Sequence, residues 1–272
     1  MVRLFSLHPV EMGVRSISEK FLQFLDQQPF CLSLNEEEKE ALARVKIVER
    51  LYPAGTLILE EGIVRRSLLL VSSGWALSFK SMADGRRLVA DFPLRGDLLS
   101  SASILGTTYR GALAVTNVTT FELALDREPL PMWQMPLLVR PFIHLLTRNF
   151  GIATEHLANI ARRPPIERTA HLFLEMRHRL QAAGLADGQA ISFSFPFTQS
   201  DVADALGLTA IHTNRVLRDL REDGLLIFRG AAVQLLDLES LCAMAQFDAS
   251  YLALGKLDSR VGLPVASISK RQ

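Results

Sequence analysis

Two short helices joined by a tight turn are predicted by residues 198–226, TQSDVADALGLTAIHTNRVLRDLREDGLL. Thr198 is a natural N-cap, because its side-chain oxygen can accept a hydrogen bond from a backbone N–H group in the first turn. Residues 199–206 follow with apolar side chains four apart on one face. Gly207 ends this first helix, because glycine readily adopts the left-handed conformation of a C-cap. This stretch constrains the fold strongly, since both ends of the helix are specified locally.

The second helix of the pair is predicted to begin after Thr209 and to run to about Asp223. Ala203 is small where two helices must cross closely, Gly207 makes the turn, and Val216 is a buried anchor. A small residue, a turn glycine and an aliphatic anchor in this order indicate a DNA-binding helix-turn-helix. The alternative is an ordinary helical hairpin, which any all-α domain can contain.

The composition is that of a globular protein without a strong overall attraction for polyanions. The 272 residues are enough for two domains, and 49% are hydrophobic and 22% charged. The formal net charge is +1, so a contact with nucleic acid needs a local basic surface. Cys31 and Cys242 form neither a disulfide framework nor a CxxC motif, which predicts a cytoplasmic location. No apolar run approaches the ~20 residues of a membrane span, and we predict no signal peptide.

A β-rich first domain is predicted over residues 45–125. Short apolar runs alternate there with glycines at regular intervals. Asp84-Gly85 is a strong hairpin signal, because Asp-Gly supplies the positive φ angles of a two-residue turn. Many short strands with frequent turn signals are typical of a sandwich or a small antiparallel barrel. A short helix over residues 18–27 and another opening at Ser33 are predicted before it.

A long helix after a proline-rich connector carries an apolar seam. The spacings along it are 4, 3, 4, 3, 4 and 3, as in the heptads of a coiled coil. We predict that this helix pairs with its own copy; the alternative is a core helix packed on the β domain. The seam starts at Val139, and its predicted dimer contacts are Ile143, Leu146, Phe150, Ala153, Leu157 and Ile160.

The C-terminal third of the chain is predicted to be a winged helix. Pro164-Pro165 break the long helix and mark a domain boundary. A helix over residues 166–183 and a strand over residues 190–197 precede the helix pair. Residues 226–235 are predicted to form a hairpin, the wing, and residues 237–249 a closing helix.

This order of parts resembles the Crp/Fnr family of bacterial transcription regulators over about residues 20–250. The segments that carry the resemblance are YPAGTLILEEG, LLLVSSG, DGRRLVADFPLRGDL, RRPPIERTAHL and the helix pair described above. In that family the β-roll senses a signal, the long helix dimerises, and the paired second helices enter successive major grooves. The resemblance therefore implies double-stranded DNA, a second copy and RNA polymerase as partners.

The predicted fold class is α+β, with an antiparallel, jelly-roll-like β-roll sensor domain, a long dimerisation helix and a C-terminal winged helix-turn-helix domain. The predicted bounds are residues 18–136 for the β-roll, 137–163 for the dimerisation helix, 164–252 for the winged helix and 253–272 for a disordered tail.

The ligand site that the resemblance implies is incomplete. Members that bind cyclic AMP hold its ribose and phosphate with a Gly-Glu-Leu turn and a nearby arginine, whereas the matching turn here is Ser100-Ser101-Ala102. Arg110 lies near the place of that arginine but is followed by Gly111-Ala112. We therefore predict that no cyclic nucleotide binds, and we keep Ser100, Ser101 and Arg110 as the candidate ligand residues.

No cofactor is identified in the sequence. An iron–sulfur cluster needs several cysteine thiolates, and only Cys31 lies in or near the β-roll. A haem site stays open, although no histidine occurs between residues 9 and 143. His171 and His178 are predicted to be partly exposed packing residues instead of metal ligands. The sequence contains no nucleophile elbow, phosphate loop or dinucleotide fingerprint, so we predict that the protein is not an enzyme.

The N-terminal half of the second helix is predicted to enter the major groove. Arg215 is the best candidate base reader, because a guanidinium can bond guanine O6 and N7 together; the alternative is a phosphate contact. Ile211 would pack on a thymine methyl group or on the wing, and Thr213 is either a contact or half-buried. The start of the first helix offers N–H groups to a phosphate. The predicted DNA contacts are Thr198, Gln199, Ser200, Thr209, Ala210, Ile211, His212, Thr213, Asn214, Arg215, Arg218 and Arg229.

The sequence thus predicts a homodimeric DNA-binding transcription regulator whose β-roll sets the relative pose of two winged helices. Its site would be an inverted repeat with half-sites about one helical turn, ~34 Å, apart. The alternative from another class is a small-molecule sensor that acts through protein partners, with the winged helix as a docking surface.

Overall fold

The residues that the computed structural model describes are 14–28, 45–65, 67–99, 108–124 and 136–252. The helix predicted from Ser33 and the tail predicted over residues 253–272 lie outside them. Within the described ranges, no helix is both long enough and apolar enough to cross a membrane.

Seven strands lie in the described part of the N-terminal domain. They are β1 Ile47–Tyr52, β2 Leu57–Leu59, β3 Ser67–Ser73, β4 Ala76–Ser81, β5 Arg87–Asp91, β6 Gly111–Ala114 and β7 Val118–Ala124. All pairs of neighbouring strands are antiparallel, in one sheet of order β1-β7-β3 and another of order β2-β6-β4-β5. The described strands therefore form an open roll, and the closed barrel that the glycine spacing also allowed is not formed by them.

Two turns of this roll contain a glycine, Gly85 and Gly74. Gly85 has φ +84° and lies in the turn that the Asp-Gly dipeptide predicts between β4 and β5. The predicted two-residue turn is wrong, because Asp84 has no positive φ and the Met82 N–H group donates to the Arg86 carbonyl at 2.8 Å, which leaves three residues in the loop. Gly74 lies between β3 and β4, where an added Cβ atom would meet the Asn117 carbonyl oxygen at 2.1 Å. No side chain fits at Gly74, so the close approach of these two turns requires glycine.

The β1-β7-β3 sheet buries both of its faces. Leu69 and Val71 of β3 are fully buried inside the roll. The opposite face packs on helix α1, Val14–Asp26, which begins earlier than the sequence predicts. The rings of Phe21 and Phe121 meet edge-on there with centroids 5.1 Å apart. Alternation along the strands separates the two cores, because successive side chains point to opposite faces.

Two long helices connect the roll to the C-terminal domain. Helix α2 spans Pro136–Arg162, and helix α3 spans Pro165–Ala182. Pro164 between them has φ −56° and ψ 156°, an extended conformation that the following proline favours. The predicted break of the long helix at the two prolines is confirmed. Leu145 of α2 is buried in the core that α1 shares with the roll.

The C-terminal domain contains the predicted helix pair and wing. Its further elements are β8 Ser192–Ser194, α4 Gln199–Leu206, α5 Ala210–Glu222, β9 Leu226–Arg229, β10 Ala232–Leu235, α6 Leu238–Ala245 and a 3₁₀ turn at Ala249–Tyr251. The three strands form one antiparallel sheet of order β8-β10-β9. This is the arrangement of a winged helix-turn-helix.

Two elements of this domain are shorter than predicted. The strand expected over residues 190–197 is regular only along β8, although the Leu235 N–H group still donates to the Ile191 carbonyl at 2.7 Å and the Phe195 N–H group to the Ala231 carbonyl at 2.8 Å. Pro196, which has no N–H group to donate, ends this pairing. The closing helix ends at Ala245, where Gln246 takes the left-handed conformation with φ +47°. The 3₁₀ turn follows in place of the last predicted helical turn.

An aromatic cluster joins the roll to the winged helix. Trp75 and Phe92 of the roll meet Phe195 and Phe197 edge-on, with ring centroids 4.6 to 6.0 Å apart. Edge-on aromatic pairs contribute ~0.5–1.5 kcal/mol each beyond their buried area. These rings belong to a single hydrophobic core that is continuous from the roll into the winged helix. The contact therefore fixes the winged helix on the roll.

Candidate nucleic-acid interface

Helix α4 begins with a capping box. The Asp201 N–H group donates to the Thr198 hydroxyl at 3.1 Å, and the Thr198 N–H group donates to the Asp201 carboxylate at 2.8 Å. Gly207 ends the helix at φ +62°. The predicted cap and stop are both confirmed. Gln199 and Ser200 are exposed in the first turn, so the helix presents backbone N–H donors and a partial positive charge to solvent.

Helix α5 is capped in the same way and is tied to α4 at its outer end. The His212 N–H group donates to the Thr209 hydroxyl at 3.2 Å, as the predicted cap requires. The Asn214 side-chain amide donates to Gln199 Oε1 at 3.0 Å and links the two helices on the exposed side. The apolar anchors on the inner side of α5 are Val216, Leu217 and Leu220.

The outer face of α5 is open to solvent. Ile211 exposes 85% of its surface, so it does not pack on the wing, the alternative raised for it. Arg215 is also exposed and makes no ion pair with the residues that the structure describes. Arg218, by contrast, lies 3.5 Å from Asp219 and 3.8 Å from Glu222. Arg215 is therefore the freer of the two guanidinium groups.

Thr213 corrects one of the predicted contacts. It is fully buried, on the same face as Val216, Leu217 and Leu220, because residues three and four apart share one side of a helix. Its hydroxyl has no hydrogen-bond partner within the described ranges. A contact between Thr213 and DNA is therefore wrong, and the half-buried alternative also understates its burial. The other predicted contacts are all at least partly exposed.

The wing is a tight hairpin between β9 and β10. Gly230 and Ala231 both have φ +61°, and two successive positive φ angles match the right-handed twist of paired strands. Arg229 ends β9, is exposed, and forms no ion pair with another described residue. The wing thus presents one unpaired cation beside the helix pair.

The predicted dimer seam of α2 faces outward. Phe150 exposes 74% of its surface and Leu157 68%. Leu145, Ile152 and Asn159, seven residues apart on the opposite side, are buried. The alternative prediction, a helix packed on the β domain, therefore holds only for the face that carries Leu145, Ile152 and Asn159. The exposed seam residues are Ile143, Leu146, Phe150, Ala153, Leu157 and Ile160.

Buried ion pairs hold the joint between the roll, α2 and α3. Arg179 of α3 donates to Asp91 at 2.6 Å and to Asp97 at 2.7 Å. Asp97 also pairs with Arg148 of α2, and Glu175 lies 3.3 Å from Arg179. Arg179, Asp97 and Glu175 are buried polar residues. Because an unpaired buried charge is strongly unfavourable, each of these side chains depends on its partners.

These charges shift the pKa values of the joint. Burial alone would raise the pKa of Glu175, but His156 and Arg179 lower it to about 2. Burial alone would lower the pKa of His156, but the adjacent Glu175 carboxylate raises it. His171 behaves differently, since burial lowers its pKa to about 4 and keeps it neutral near pH 7. His171 is fully buried, which corrects the prediction that it is partly exposed.

Polar groups inside the roll satisfy one another. Arg65 donates to both carboxylate oxygens of Glu122, at 3.0 and 2.9 Å, and to the Tyr52 hydroxyl at 2.9 Å. Burial, together with the charge of Glu122, raises the pKa of Tyr52 to about 12. Arg50 at the surface also lies 3.3 Å from Glu122, so the charge of Glu122 is paired.

The candidate ligand residues are only partly within the described residues. Arg110 is half-buried just before β6, while Ser100 and Ser101 lie outside the described ranges. In the portion of the chain with described coordinates, no group of three or more His, Cys, Asp or Glu side chains could hold a metal ion.

The sequence did not reveal the ion pairs between the domains. Arg87 of β5 binds Asp201 and Asp204 of α4, which follow it by 114 and 117 residues. Asp91 and Asp97 precede Arg179 by 88 and 82 residues. No periodicity or motif links residues at such separations. The one available signal was local: α3 carries the charged Arg179 among its buried apolar side chains.

Comparisons with known proteins agree with this architecture. Residues 167–244 match the Crp-like helix-turn-helix domain family. The chain is 24% identical over 235 residues to the transcriptional activator protein anr of Pseudomonas aeruginosa, which covers 85% of this chain and 95% of that protein. It is 28% identical over 194 residues to the nitrogen fixation regulation protein FixK of Bradyrhizobium diazoefficiens, and the alignment covers 71% of this chain and 80% of that protein.

The fold is also shared with a solved regulator. The structure of FixK2 from Bradyrhizobium japonicum aligns with a TM-score of 0.63 at 24% identity, over 75% of this chain and 100% of that one. The chain thus carries a Crp-like helix-turn-helix domain. Over most of its length it is similar in sequence to the regulators anr and FixK and in fold to FixK2.

Proposed function

We propose that this protein binds DNA as a homodimer on an inverted-repeat site and regulates transcription from it. The observation that carries the proposal is the outer face of α5. Ile211, Asn214 and Arg215 are exposed there, beside the open first turn of α4. A recognition helix that enters the major groove needs this combination of a free base-reading face and a neighbouring phosphate-binding end.

Each exposed group has a chemical role in this proposal. Arg215 would bond guanine O6 and N7 with two N–H groups, and Ile211 would pack on a thymine methyl group. Asn214, steadied by Gln199, would reach a base edge or a phosphate. The cation on Arg229 suits a phosphate on the flank. The remaining backbone contacts would come from Thr198, Gln199, Ser200, Thr209, Ala210, His212 and Arg218.

The seam of α2 supports the second half of the proposal, which is dimerisation. Burying an aliphatic or aromatic side chain contributes ~1.5–3 kcal/mol. Phe150, Leu157 and Ile143 each expose more than half of their surface in one copy. A second copy placed by a two-fold axis would cover all of them at once. The same axis would present two copies of α5 to the two halves of an inverted repeat.

The division of labour follows from this arrangement. We assign residues 18–136 to signal sensing, 137–163 to dimerisation and 164–252 to DNA binding. Arg110, with Ser100 and Ser101, is the place where we would look first for an effector. The relatives are named as an activator and a regulator, so we infer that this chain also acts with RNA polymerase at promoters.

The proposal is tested by measuring binding to a palindromic DNA fragment selected from random sequence, across a range of salt concentrations. We expect a dimer by sedimentation and an affinity that falls steeply with salt, because each neutralised phosphate releases condensed counterions. A scrambled fragment of the same composition is the control. A monomer at the concentrations that bind DNA, or an affinity independent of salt, would contradict the proposal.

A seam variant separates dimerisation from folding. Phe150→Asp should convert the dimer to monomer, because a carboxylate would be buried at the centre of an apolar interface. The matched control is Leu185→Asp, which places the same charge at an exposed apolar residue away from the seam. Sedimentation and DNA retardation are measured for both. If Phe150→Asp remains a dimer, the pairing surface lies elsewhere.

A further inference from the structure

We propose that Arg87, a residue of the β-roll, positions the DNA-binding end of α4; this inference rests on the function proposed above. Arg87 begins β5 and is about one-third exposed. Its Nη2 lies 2.5 Å from Asp201 Oδ1, and its Nε lies 2.7 Å from Asp204 Oδ2. One planar guanidinium therefore grips two carboxylates that are a turn apart on α4.

Asp201 carries this contact to the end of the helix. Its other oxygen, Oδ2, accepts from the Thr198 N–H group at 2.8 Å and from the Thr198 hydroxyl at 2.7 Å. Arg87 thus fixes the carboxylate that caps α4, and the cap fixes the direction of the first-turn N–H groups. Those groups, at Gln199 and Ser200, are the proposed phosphate contacts.

The same path continues to the base-reading helix. Gln199 accepts a hydrogen bond from Asn214 of α5 at 3.0 Å. A continuous set of contacts therefore leads from β5 in the roll, through the start of α4, to the exposed face of α5. A displacement of β5 would move the phosphate-binding end and the reading face together.

Arg87 also offsets negative charge near the proposed DNA surface. Asp201 and Asp204 are the charged residues of α4, which contains no lysine or arginine. With Arg87 absent, both carboxylates would repel the approaching phosphates, since screening is weak within about one Debye length. The roll thus supplies the cation that α4 lacks.

The adjacent Arg86 offers a matched comparison. It pairs with Asp84 at 2.7 Å within its own hairpin, and 82% of its side chain is exposed. Replacing Arg86 or Arg87 by alanine removes the same charge from neighbouring positions. Only Arg87 contacts α4, so any difference between the two variants reports that contact.

The experiment measures binding of the full-length wild type, Arg86→Ala and Arg87→Ala to the palindromic fragment as a function of salt. We expect Arg87→Ala to weaken binding about tenfold or more, and Arg86→Ala to change it less than about twofold. The magnitude of the slope of log affinity against log salt should decrease for Arg87→Ala, because Asp201 and Asp204 are then left without their cation beside the phosphates. A purely structural loss would reduce the active fraction and leave that slope unchanged.

Two further variants sharpen the result. Adding Asp204→Asn to Arg87→Ala should restore part of the affinity, because it removes an unpaired carboxylate. Arg87→Lys retains the charge without the two-pronged geometry, and we expect it to bind DNA with an affinity between those of the wild type and Arg87→Ala. This variant tests the inference if Arg87→Ala does not fold. Wild-type affinity in Arg87→Lys would contradict the positioning role.

Other outcomes distinguish this inference from the proposed function. Equal behaviour of Arg86→Ala and Arg87→Ala would overturn the inference while wild-type binding upheld the function. Tighter binding by Arg87→Ala would also overturn it, since the contact would then hold the winged helix in a non-binding pose. A wild type that binds no palindrome would reject the function and, with it, the inference.

Discussion

Arg215 on α5 and Arg179 on α3 are the same side chain in opposite settings. Arg215 is exposed and has no ion-pair partner in the described part of the chain. Arg179 is fully buried and binds Asp91, Asp97 and Glu175. Arg215 is thus free to bind a group from outside, whereas the charge of Arg179 is paired at the joint, where only its Nε lacks a hydrogen-bond partner among the described residues. The first arrangement suits a partner from outside, and the second holds the domains in one pose.

Breaking the joint should have the largest effect on stability. Arg179→Met leaves Asp91 and Asp97 without their shared cation, which should lower the free energy of unfolding by about 3–5 kcal/mol. Arg218→Met, on the exposed surface of α5, should change it by no more than about 0.5 kcal/mol. Urea unfolding of both variants measures the difference. Equal stabilities would mean that the joint does not depend on Arg179.

Removing the exposed arginine should affect recognition and leave stability unchanged. Arg215→Ala should reduce discrimination between the palindrome and its scrambled control by about 1–3 kcal/mol. Competition binding with both fragments measures it, and the melting temperature serves as the folding control. An equal loss of affinity for both fragments would instead assign Arg215 to a phosphate.

The smallest effect is expected at Thr213. Like Arg179 it is buried, and like Arg215 it has no partner for its polar group among the described residues. Thr213→Val should raise the free energy of unfolding by about 1 kcal/mol, since it removes an unsatisfied hydroxyl without changing the volume much. DNA affinity should not change. Thr209→Val on the same helix removes the N-cap and should lower stability by about 1 kcal/mol. A loss of stability in Thr213→Val would show that its hydroxyl has a partner.

The sequence predicted the parts of the fold that local chemistry specifies. The caps at Thr198 and Thr209 and the stop at Gly207 are set by residues within one turn, and all three are confirmed. Thr213 was misjudged although its spacing from Val216 and Leu217 already placed it on the inner face.

Contacts between distant segments could not be predicted in this way. The grip of Arg87 on α4 and the joint around Arg179 depend on how the two domains meet, which no single segment encodes.

Because the connection between α2 and α3 is short, the number of residues in α2 determines how the winged helix is rotated about the α2 axis. Two residues, Arg163 and Pro164, separate the helices, so they leave little slack to absorb a change. One residue added after Ile160 would turn each winged helix by about 100° around the helix axis and shift it by ~1.5 Å. Two heads turned in this way would no longer face the same side of a DNA duplex. A change of about seven residues would nearly restore the rotational phase, but it would shift each winged helix by ~10 Å along the axis and away from its contacts with the roll.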